Sequence, residues 1–328
     1  MARPNVPLAA RRRARQPPPT AHTMTDHVTL EEGIRLRRPA LVCAFSGWND
    51  AGQAASVAAR YLAERWDART IGHLDPEEFL DFQVTRPTVR LEDGVSRVVE
   101  WPSFELRAAS PPGRDVIVLV GAEPNNRWRT FTSAILGAAR DLGVDLLVTL
   151  GAFLADVPHT RPVPLTGSAP TQDEAHRLGL TGSQYEGPTG ITGVLHDAAI
   201  RAGMASISLW AAVPHYLPSA PDPKAALALV ERTTALLGVT VETGPLEEAA
   251  AEWDREVASL VAESDELSEY VERLEGAAPT EGQAGPAPHE VEEIPSAEAI
   301  AAEVERYLRE QGERGERGEQ RNGGEGEA

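Results

Sequence analysis

The sequence has only one cysteine, Cys43, among its 328 residues. A disulfide within the chain is therefore excluded, and the apolar run 39–45 around Cys43 favours an inert buried thiol over a nucleophile. No apolar stretch approaches the roughly 20 residues that a helix needs to span a bilayer. The basic, proline-rich N-terminus also lacks the apolar central region of a secretory signal. We therefore expect a cytoplasmic protein.

The signatures of several enzyme classes are also missing. The sequence contains no G-x-S-x-G nucleophile elbow, no HExxH or CxxC, and no dinucleotide-binding G-x-G-x-x-G. His159, His196 and His215 lack the spacing of metal ligands, which favours solvated or core roles for them. We predict no metal site and no cofactor.

The loop 45–55, FSGWNDAGQAA, resembles a phosphate-binding loop only in the spacing of its glycines. Gln53 and Ala54 occupy the places where such a loop requires Lys and then Ser or Thr. Asp50, followed three residues later by Gln53, predicts a capping box, which would put a carboxylate at the positive end of the helix. We therefore predict a strand-to-helix turn, with Trp48 as either a packing residue or an interface anchor.

The net charge of −19 is concentrated in the C-terminal quarter. Residues 245–328 contain 24 acidic and 7 basic residues, so that 7 − 24 = −17 and the remaining body is close to neutral. An acidic segment repels nucleic acid and anionic membrane surfaces, and we therefore predict neither as a partner. A solvated extension is favoured over a dedicated interaction tail.

Four short apolar runs predict buried strands, and helix-like segments alternate with them. The runs are 39–45, 115–121, 145–152 and 206–214. Their continuous hydrophobicity is typical of parallel strands that are covered on both faces. The helical segments are 51–65, 130–142, 190–204 and 222–238. The last has Asp222 as N-cap, Pro223 at its first position and Gly238 as C-cap. This alternation predicts an open α/β sheet.

Two further segments have distinct patterns. Residues 88–101 predict a β-hairpin that turns at Asp93 and Gly94 and either extends the sheet or forms one of its edges. Residues 246–276 predict one charged helix that docks either on its own domain, which is the favoured alternative, or on a partner chain. Its apolar seam consists of Trp253, Val257, Leu260, Leu267, Val271 and Leu274, interrupted by Ser264.

Six segments follow along the chain. We predict a disordered N-terminal arm, an α/β core domain, an amphipathic helix, a linker, an isolated helix and a disordered acidic tail. Their bounds are 1–24, 25–244, 245–276, 277–295, 296–311 and 312–328.

The loops after the four predicted strands gather the candidate site residues. The carboxyl ends of parallel strands meet at one edge, which is where open α/β sheets bind ligands. With the segment 182–193 nearby, this edge carries Asp50, Glu123, Arg127, Arg129, Asp156, His159, Arg161, Tyr185, Glu186 and His215. These residues form either a carboxylate–histidine site for an anionic or ribosyl substrate, or caps, ion pairs and an oligomer surface.

Four motifs, in this order, resemble the bacterial branch of the proteasome assembly chaperone 2 family. They are GWNDAG at 47–52, GAEPNNRW at 121–128, YEGPTGITGVL at 185–195 and AVPHY at 212–216. The resemblance spans about residues 28 to 275. It implies a three-layer α/β/α fold like that of nucleoside phosphorylases, in homo-oligomers that are often trimers. Members in eukaryotes and archaea help to assemble proteasome core rings and have no catalytic activity.

The end of the chain departs from the archaeal members of this group. Those chaperones dock on proteasome rings through a C-terminal tripeptide of a hydrophobic residue, tyrosine and any residue. This chain ends in Gly326, Glu327 and Ala328, and Tyr307 lies far from the end. We therefore do not expect docking of that kind.

Two functions remain open from the sequence. The first is a non-enzymatic oligomeric scaffold or proteasome-assembly-chaperone-like protein, whose partners are copies of itself, in a trimer, and proteasome subunits. Its candidate interface residues are Trp48, Asn49, Asp50, Arg127, Trp128, Tyr185, His215 and Tyr216. The second is a hydrolase or phosphorylase that acts on a small molecule. Its candidate acid–base groups are Asp50, Glu123, His159 and Glu186.

Overall fold

The structure is a computed structural model that describes residues 22–25, 27–93, 96–181, 185–217 and 221–276. The predictions for the linker, the isolated helix and the acidic tail lie outside these residues. So does the prediction for the first 21 residues of the N-terminal arm. Residues 22–24, which we assigned to that arm, instead lie in the first strand.

Eleven strands and seven helices occur in these ranges. The strands are β1 His22–Thr25, β2 Val28–Glu31, β3 Ala40–Ser46, β4 Arg69–Leu74, β5 Thr88–Glu92, β6 Ser96–Glu100, β7 Phe104–Ala109, β8 Val116–Ala122, β9 Leu146–Ala155, β10 Leu165–Ser168 and β11 Ser206–Pro214. The helices are α1 Ala54–Arg65, α2 Trp128–Asp141, α3 Gln172–Arg177, α4 Ile191–Arg201, α5 Pro223–Leu237, α6 Gly244–Ala262 and α7 Asp265–Gly276. None of these helices is long and apolar enough to cross a membrane.

Nine strands form one sheet, in the order β1-β2-β4-β7-β8-β3-β9-β11-β10. The four predicted apolar strands lie side by side as β8, β3, β9 and β11, and all three pairings among them are parallel. The outer pairings are antiparallel, but six of the nine strands still run in the same direction. The prediction of a mostly parallel sheet is confirmed.

Helices cover both faces of the sheet, because alternate residues of the central strands point to opposite faces. Val42 and Val118 pack into a cluster with α1 and α5. Their chain neighbours Leu41 and Leu119 pack with α2 and α4 on the opposite face. Burying each such aliphatic side chain contributes about 1.5–3 kcal/mol. The two clusters confirm the three-layer α/β/α architecture.

The sequence signals at the ends of α5 act as predicted. Asp222 caps the helix, since its Oδ1 accepts a hydrogen bond from the backbone N of Ala225 at 2.8 Å. Pro223 occupies the first turn, and Gly238 ends the helix in the left-handed region with φ 66°. The backbone of Asp222 is also held in place, because its N donates a hydrogen bond to Gly52 O at 2.7 Å. The cap therefore ties α5 to the loop that follows β3.

The hairpin predicted at 88–101 forms as β5 and β6, but its predicted place in the main sheet is wrong. β5 and β6 make a separate two-stranded sheet. The reason is that β4 and β7, which precede and follow the hairpin in the chain, pair with each other. The adjoining position in the main sheet is thereby filled, and the hairpin is left outside it.

The single helix predicted at 246–276 is divided into α6 and α7. Ser264 explains the break, since its Oγ accepts a hydrogen bond from the backbone N of Leu267 at 3.3 Å and so caps α7. Trp253 and Val257 are buried as the predicted seam requires, but Leu260 is 55% exposed and Val261 takes its place. α6 packs against α5 of the same chain.

Replacing Trp253 with Ala should lower the free energy of unfolding by about 3 kcal/mol, because it empties the small apolar cluster beneath α6. The matched control on the same helix is Leu260→Ala, which should change the free energy by less than about 0.5 kcal/mol because Leu260 is exposed. Urea denaturation measures both. Equal effects of the two substitutions would contradict the packing of α6.

Candidate functional site

The loop between β3 and α1 is held in place by Asp50. The Asp50 Oδ1 accepts hydrogen bonds from the backbone N of Ala55 at 2.8 Å and of Ser56 at 3.0 Å. Burial is the largest influence on this carboxyl and raises its pKa, while the hydrogen bonds from Ser56 and Ala55 oppose the rise. Asp50 therefore occupies the positive end of α1, where a nucleotide phosphate would have to bind.

The predicted capping box between Asp50 and Gln53 is wrong. A turn of 3₁₀-helix at Ala51–Gln53 precedes α1, and Gln53 itself is left-handed with φ 52°. The turn delays the start of the α-helix, so that Asp50 reaches backbone groups five and six residues later in the chain. The carboxylate still lies at the helix end, but Gln53 does not reciprocate.

Asn49 and Glu123 join three loops at the carboxyl edge of the sheet. Asn49 is 1% exposed, and its Nδ2 donates to Glu123 Oε1 at 2.7 Å. The same oxygen accepts from the backbone N of Ile191 at 2.8 Å, at the start of α4. A Cβ on Gly190 would lie 2.0 Å from Asn49 Nδ2 and 2.5 Å from Glu123 Oε1. Only glycine fits at position 190 without moving this contact.

A second group is built around His159 and Tyr216. The Tyr216 hydroxyl accepts a hydrogen bond from the backbone N of His159 at 2.8 Å and lies 2.9 Å from its Nδ1. Burial is the main cause of the lowered pKa of His159, and Asp254 opposes it. Burial likewise raises the pKa of Tyr216. His159 is therefore favoured as a neutral ring within this group.

Lys224 fastens this group to α6. Its Nζ donates to the backbone oxygen of His159 at 2.5 Å and pairs with Asp254 Oδ1 at 3.0 Å. The side chain of Lys224 is mostly buried, so this pair is screened less than a surface ion pair. The loop 156–161 is thereby tied to both α5 and α6.

His215, Tyr270 and Asp156 form the exposed side of the same group. His215 Nδ1 lies 3.1 Å from Asp156 Oδ1, which also accepts from the Tyr270 hydroxyl at 3.1 Å. The rings of His215 and Tyr270 meet edge to face, with centroids 5.3 Å apart. Glu275, near the end of α7, accepts a hydrogen bond from Thr160 Oγ1. Helix α7 thus closes over the loop that carries His159.

The remaining predicted residues have separate surroundings. Arg127 is left-handed and pairs with Glu78, and Trp128 donates its Nε1 to Pro124 O. The Tyr185 hydroxyl donates to Pro188 O at 2.9 Å. The side chains of Trp48, Arg129 and Glu186 are exposed.

The four candidate acid–base groups are not joined into one site. Within the described ranges, no hydrogen bond or ion pair links any two of Asp50, Glu123, His159 and Glu186. Asp50 and Glu123 instead accept hydrogen bonds from backbone or amide N–H groups, and His159 faces Tyr216. These contacts position loops and helix ends.

Sequence reasoning missed Tyr270 and Glu275, and it left His196 with a bland role. Tyr270 and Glu275 lie on α7, for which the sequence predicted only an apolar seam. No local signal in the sequence indicates which loop this helix contacts. His196 Nδ1 lies 2.8 Å from Ser206 Oγ, and its Nε2 lies 3.1 Å from Ser168 Oγ. It thereby connects α4 with β10 and β11, and burial lowers its pKa.

A model described as the PAC2 family matches residues 44–261, which is more than half of the chain. The chain belongs to the PAC2 family. This match confirms the resemblance drawn from the four motifs. A search of curated proteins gave no match.

Solved structures of similar proteins share this fold. The Mycobacterium tuberculosis proteasome-assembly chaperone homologue Rv2125 is 47% identical and covers 71% of this chain and 99% of its own, with a TM-score of 0.65. A PAC2 family protein of Streptomyces avermitilis is 46% identical with the same two coverages and a TM-score of 0.67. Pyrococcus furiosus PbaB, an archaeal proteasome activator, is 19% identical, covers 71% and 97%, and has a TM-score of 0.58, which shows a common fold alone.

Gly190→Ala should destabilise this PAC2 member by about 1–3 kcal/mol, because the added methyl group must displace the contact between Asn49 and Glu123. The control is Gly137→Ala in α2, where a Cβ meets nothing within 4 Å and the substitution should stabilise the protein by up to about 1 kcal/mol. Thermal and urea unfolding measure both. If Gly190→Ala leaves the free energy of unfolding unchanged, the contact between Asn49 and Glu123 is not tightly packed against residue 190.

The free energy of unfolding should fall as the pH drops below about 6.5, the ordinary pKa of histidine. His159 and His196 have lowered pKa values when folded, so the unfolded chain binds their protons more readily than the folded protein does. Urea denaturation from about pH 8 to about pH 5.5 measures the slope. His196→Gln should make the slope shallower. An unchanged slope would contradict the buried neutral state of His196.

Proposed function

We propose that this PAC2 family protein is a non-enzymatic, oligomeric scaffold with a proteasome-assembly-chaperone-like function. The observation that carries the proposal is the structural role of the carboxylates and of His159 at the carboxyl edge of the sheet, which we call the rim. Asp50, Glu123 and His159 all hold loops or helix ends in place. Groups that are engaged in this way suit a surface presented to a partner better than they suit proton transfer.

Trp48 is the surface feature that fits a protein partner best. It is 43% exposed in the β3–α1 loop, between Gly47 and the buried Asn49. Asn49 is fixed by Glu123, and Asp50 is fixed by the end of α1. An aromatic side chain on a backbone held this firmly loses little conformational freedom on binding, which is a property of interface hot spots.

The partners we propose are other copies of this chain, as a trimer, and proteasome subunits in the cytoplasm. The support for proteasome subunits is family membership together with the description of the 47% identical relative as a proteasome-assembly chaperone homologue. The acidic charge of −19 gives no support for nucleic acid or anionic membrane as a partner. His215 and Tyr270 add a second aromatic surface, which we include in the partner face.

The hydrolase or phosphorylase alternative has no specific support. Its proposed groups make separate structural contacts, and Glu123 Oε1 already accepts two hydrogen bonds. A panel of nucleosides and phosphate esters checks this directly. Turnover by the purified protein that the Asp50→Ala variant lacks would overturn the non-enzymatic part of the proposal.

Purified proteasome core subunits from the same organism should bind the immobilised protein in biolayer interferometry. Trp48→Ala should weaken this binding by about 10-fold or more, as loss of a buried aromatic hot spot does. Leu260→Ala removes an exposed apolar side chain from α6 and serves as the matched control with unchanged affinity. If the unaltered protein binds no core subunit, the proteasome partner is wrong.

A further inference from the structure

The β5–β6 hairpin has one apolar face and one charged face. Val89 pairs directly with Val99, and Leu91 pairs with Arg97, so these four side chains share a face of the ribbon. Val89, Leu91 and Val99 are 61%, 58% and 50% exposed. On the opposite face, Arg90 forms ion pairs with Glu92 and Glu100. The apolar face is therefore directed to solvent.

This exposed face is unfavourable for an isolated chain. A two-stranded ribbon is marginally stable in water by itself, and adjoining exposed apolar side chains mark interaction surfaces. The apolar surface continues to the foot of the hairpin, where Trp101 is exposed and meets the ring of Phe82 with centroids 5.0 Å apart. A protein surface that covers the hairpin would remove this cost.

A cleft of about 390 Å³ opens beside the foot of the same hairpin. Val118, Val120 and Ala63 contribute its apolar lining on the α1 side of the sheet. Its polar lining includes Arg60, Arg107 and Glu105. Thr85, Pro102 and Ser103, which flank the hairpin in the chain, also line it. The hairpin and the cleft are therefore adjacent on each molecule.

The hairpin tip and the cleft have net charges of opposite sign. Near the tip lie two acidic residues and one basic residue, Glu92, Asp93 and Arg97, beside the apolar Leu91. The cleft has the reverse, two arginines and one glutamate, around an apolar floor. Glu92 lies 3.8 Å from Arg90 in a pair with both side chains exposed, and such a pair contributes little, so Glu92 is free to pair elsewhere.

We propose that the β5–β6 hairpin of one copy inserts into the cleft of a neighbouring copy. Leu91 enters the apolar floor, and the acidic residues at the tip meet Arg60, because the guanidinium of Arg107 already donates two hydrogen bonds to Ala68 O. The contact joins two different surfaces, so it is heterologous and closes into a ring when the rotation permits. The hairpin strands, five residues each, extend about 17 Å, which is enough to cross from one subunit into the next. This inference rests on the proposed self-association and names the surface responsible for it.

Sedimentation velocity at micromolar concentration tests the contact. Leu91→Arg damages the hairpin, and Arg60→Glu damages the cleft. Each variant alone should sediment as a monomer while the unaltered protein is an oligomer. A mixture of the two should form a 1:1 dimer, because the intact hairpin of the Arg60→Glu chain fits the intact cleft of the Leu91→Arg chain. Leu260→Arg, at an exposed position on α6, should leave the oligomer unchanged.

The outcomes separate this inference from the proposed function. Leu91 and Arg60 are exposed, so urea denaturation should show both variants to be as stable as the unaltered chain within about 0.5 kcal/mol. If Leu91→Arg remains fully oligomeric, or if the mixture stays monomeric, the hairpin-to-cleft contact is wrong although self-association stands. If the unaltered protein is itself a monomer, the oligomeric part of the proposed function fails as well.

Discussion

Parallel pairing of four largely buried strands is the constraint on which the rest of this structure depends. β8, β3, β9 and β11 can be parallel only if each connection crosses a face of the sheet, and these crossings supply α1, α2 and α4, three of the helices that cover the two faces. The same constraint brings the loops after all four strands to one edge. The contacts of Asn49, Glu123, His159 and Tyr216 at this edge are consequences of that arrangement.

At this edge, the polar side chains are used to fix the backbone. Glu123 bridges Asn49 and the first turn of α4, and Asp50 caps α1 from five residues away. Lys224 secures the His159 loop to α6. The result is a firm rim from which Trp48 projects.

The predictability of each element follows from how local its signal is. The central strands and α5 were predictable because their hydrophobic runs and their caps, Asp222 and Gly238, are adjacent in the chain. The outer strands β2, β4 and β7 were missed, since their half-exposed patterns carry weaker signals than the continuous apolar runs. The break at Ser264 was overlooked because a serine within an amphipathic pattern is equally compatible with a solvent-facing helical position and with a cap.

The sequence by itself determined the family, the α/β class, the four buried strands and the gathering of their loops at one edge. These depend on hydrophobic periodicity and on short motifs, which are written within a few residues of each other. Only the tertiary structure decided that Glu123 holds α4, that α7 closes over the His159 loop and that the hairpin stands apart from the main sheet. Each of these depends on groups far apart in the chain, and no local pattern states which distant partner a side chain will meet.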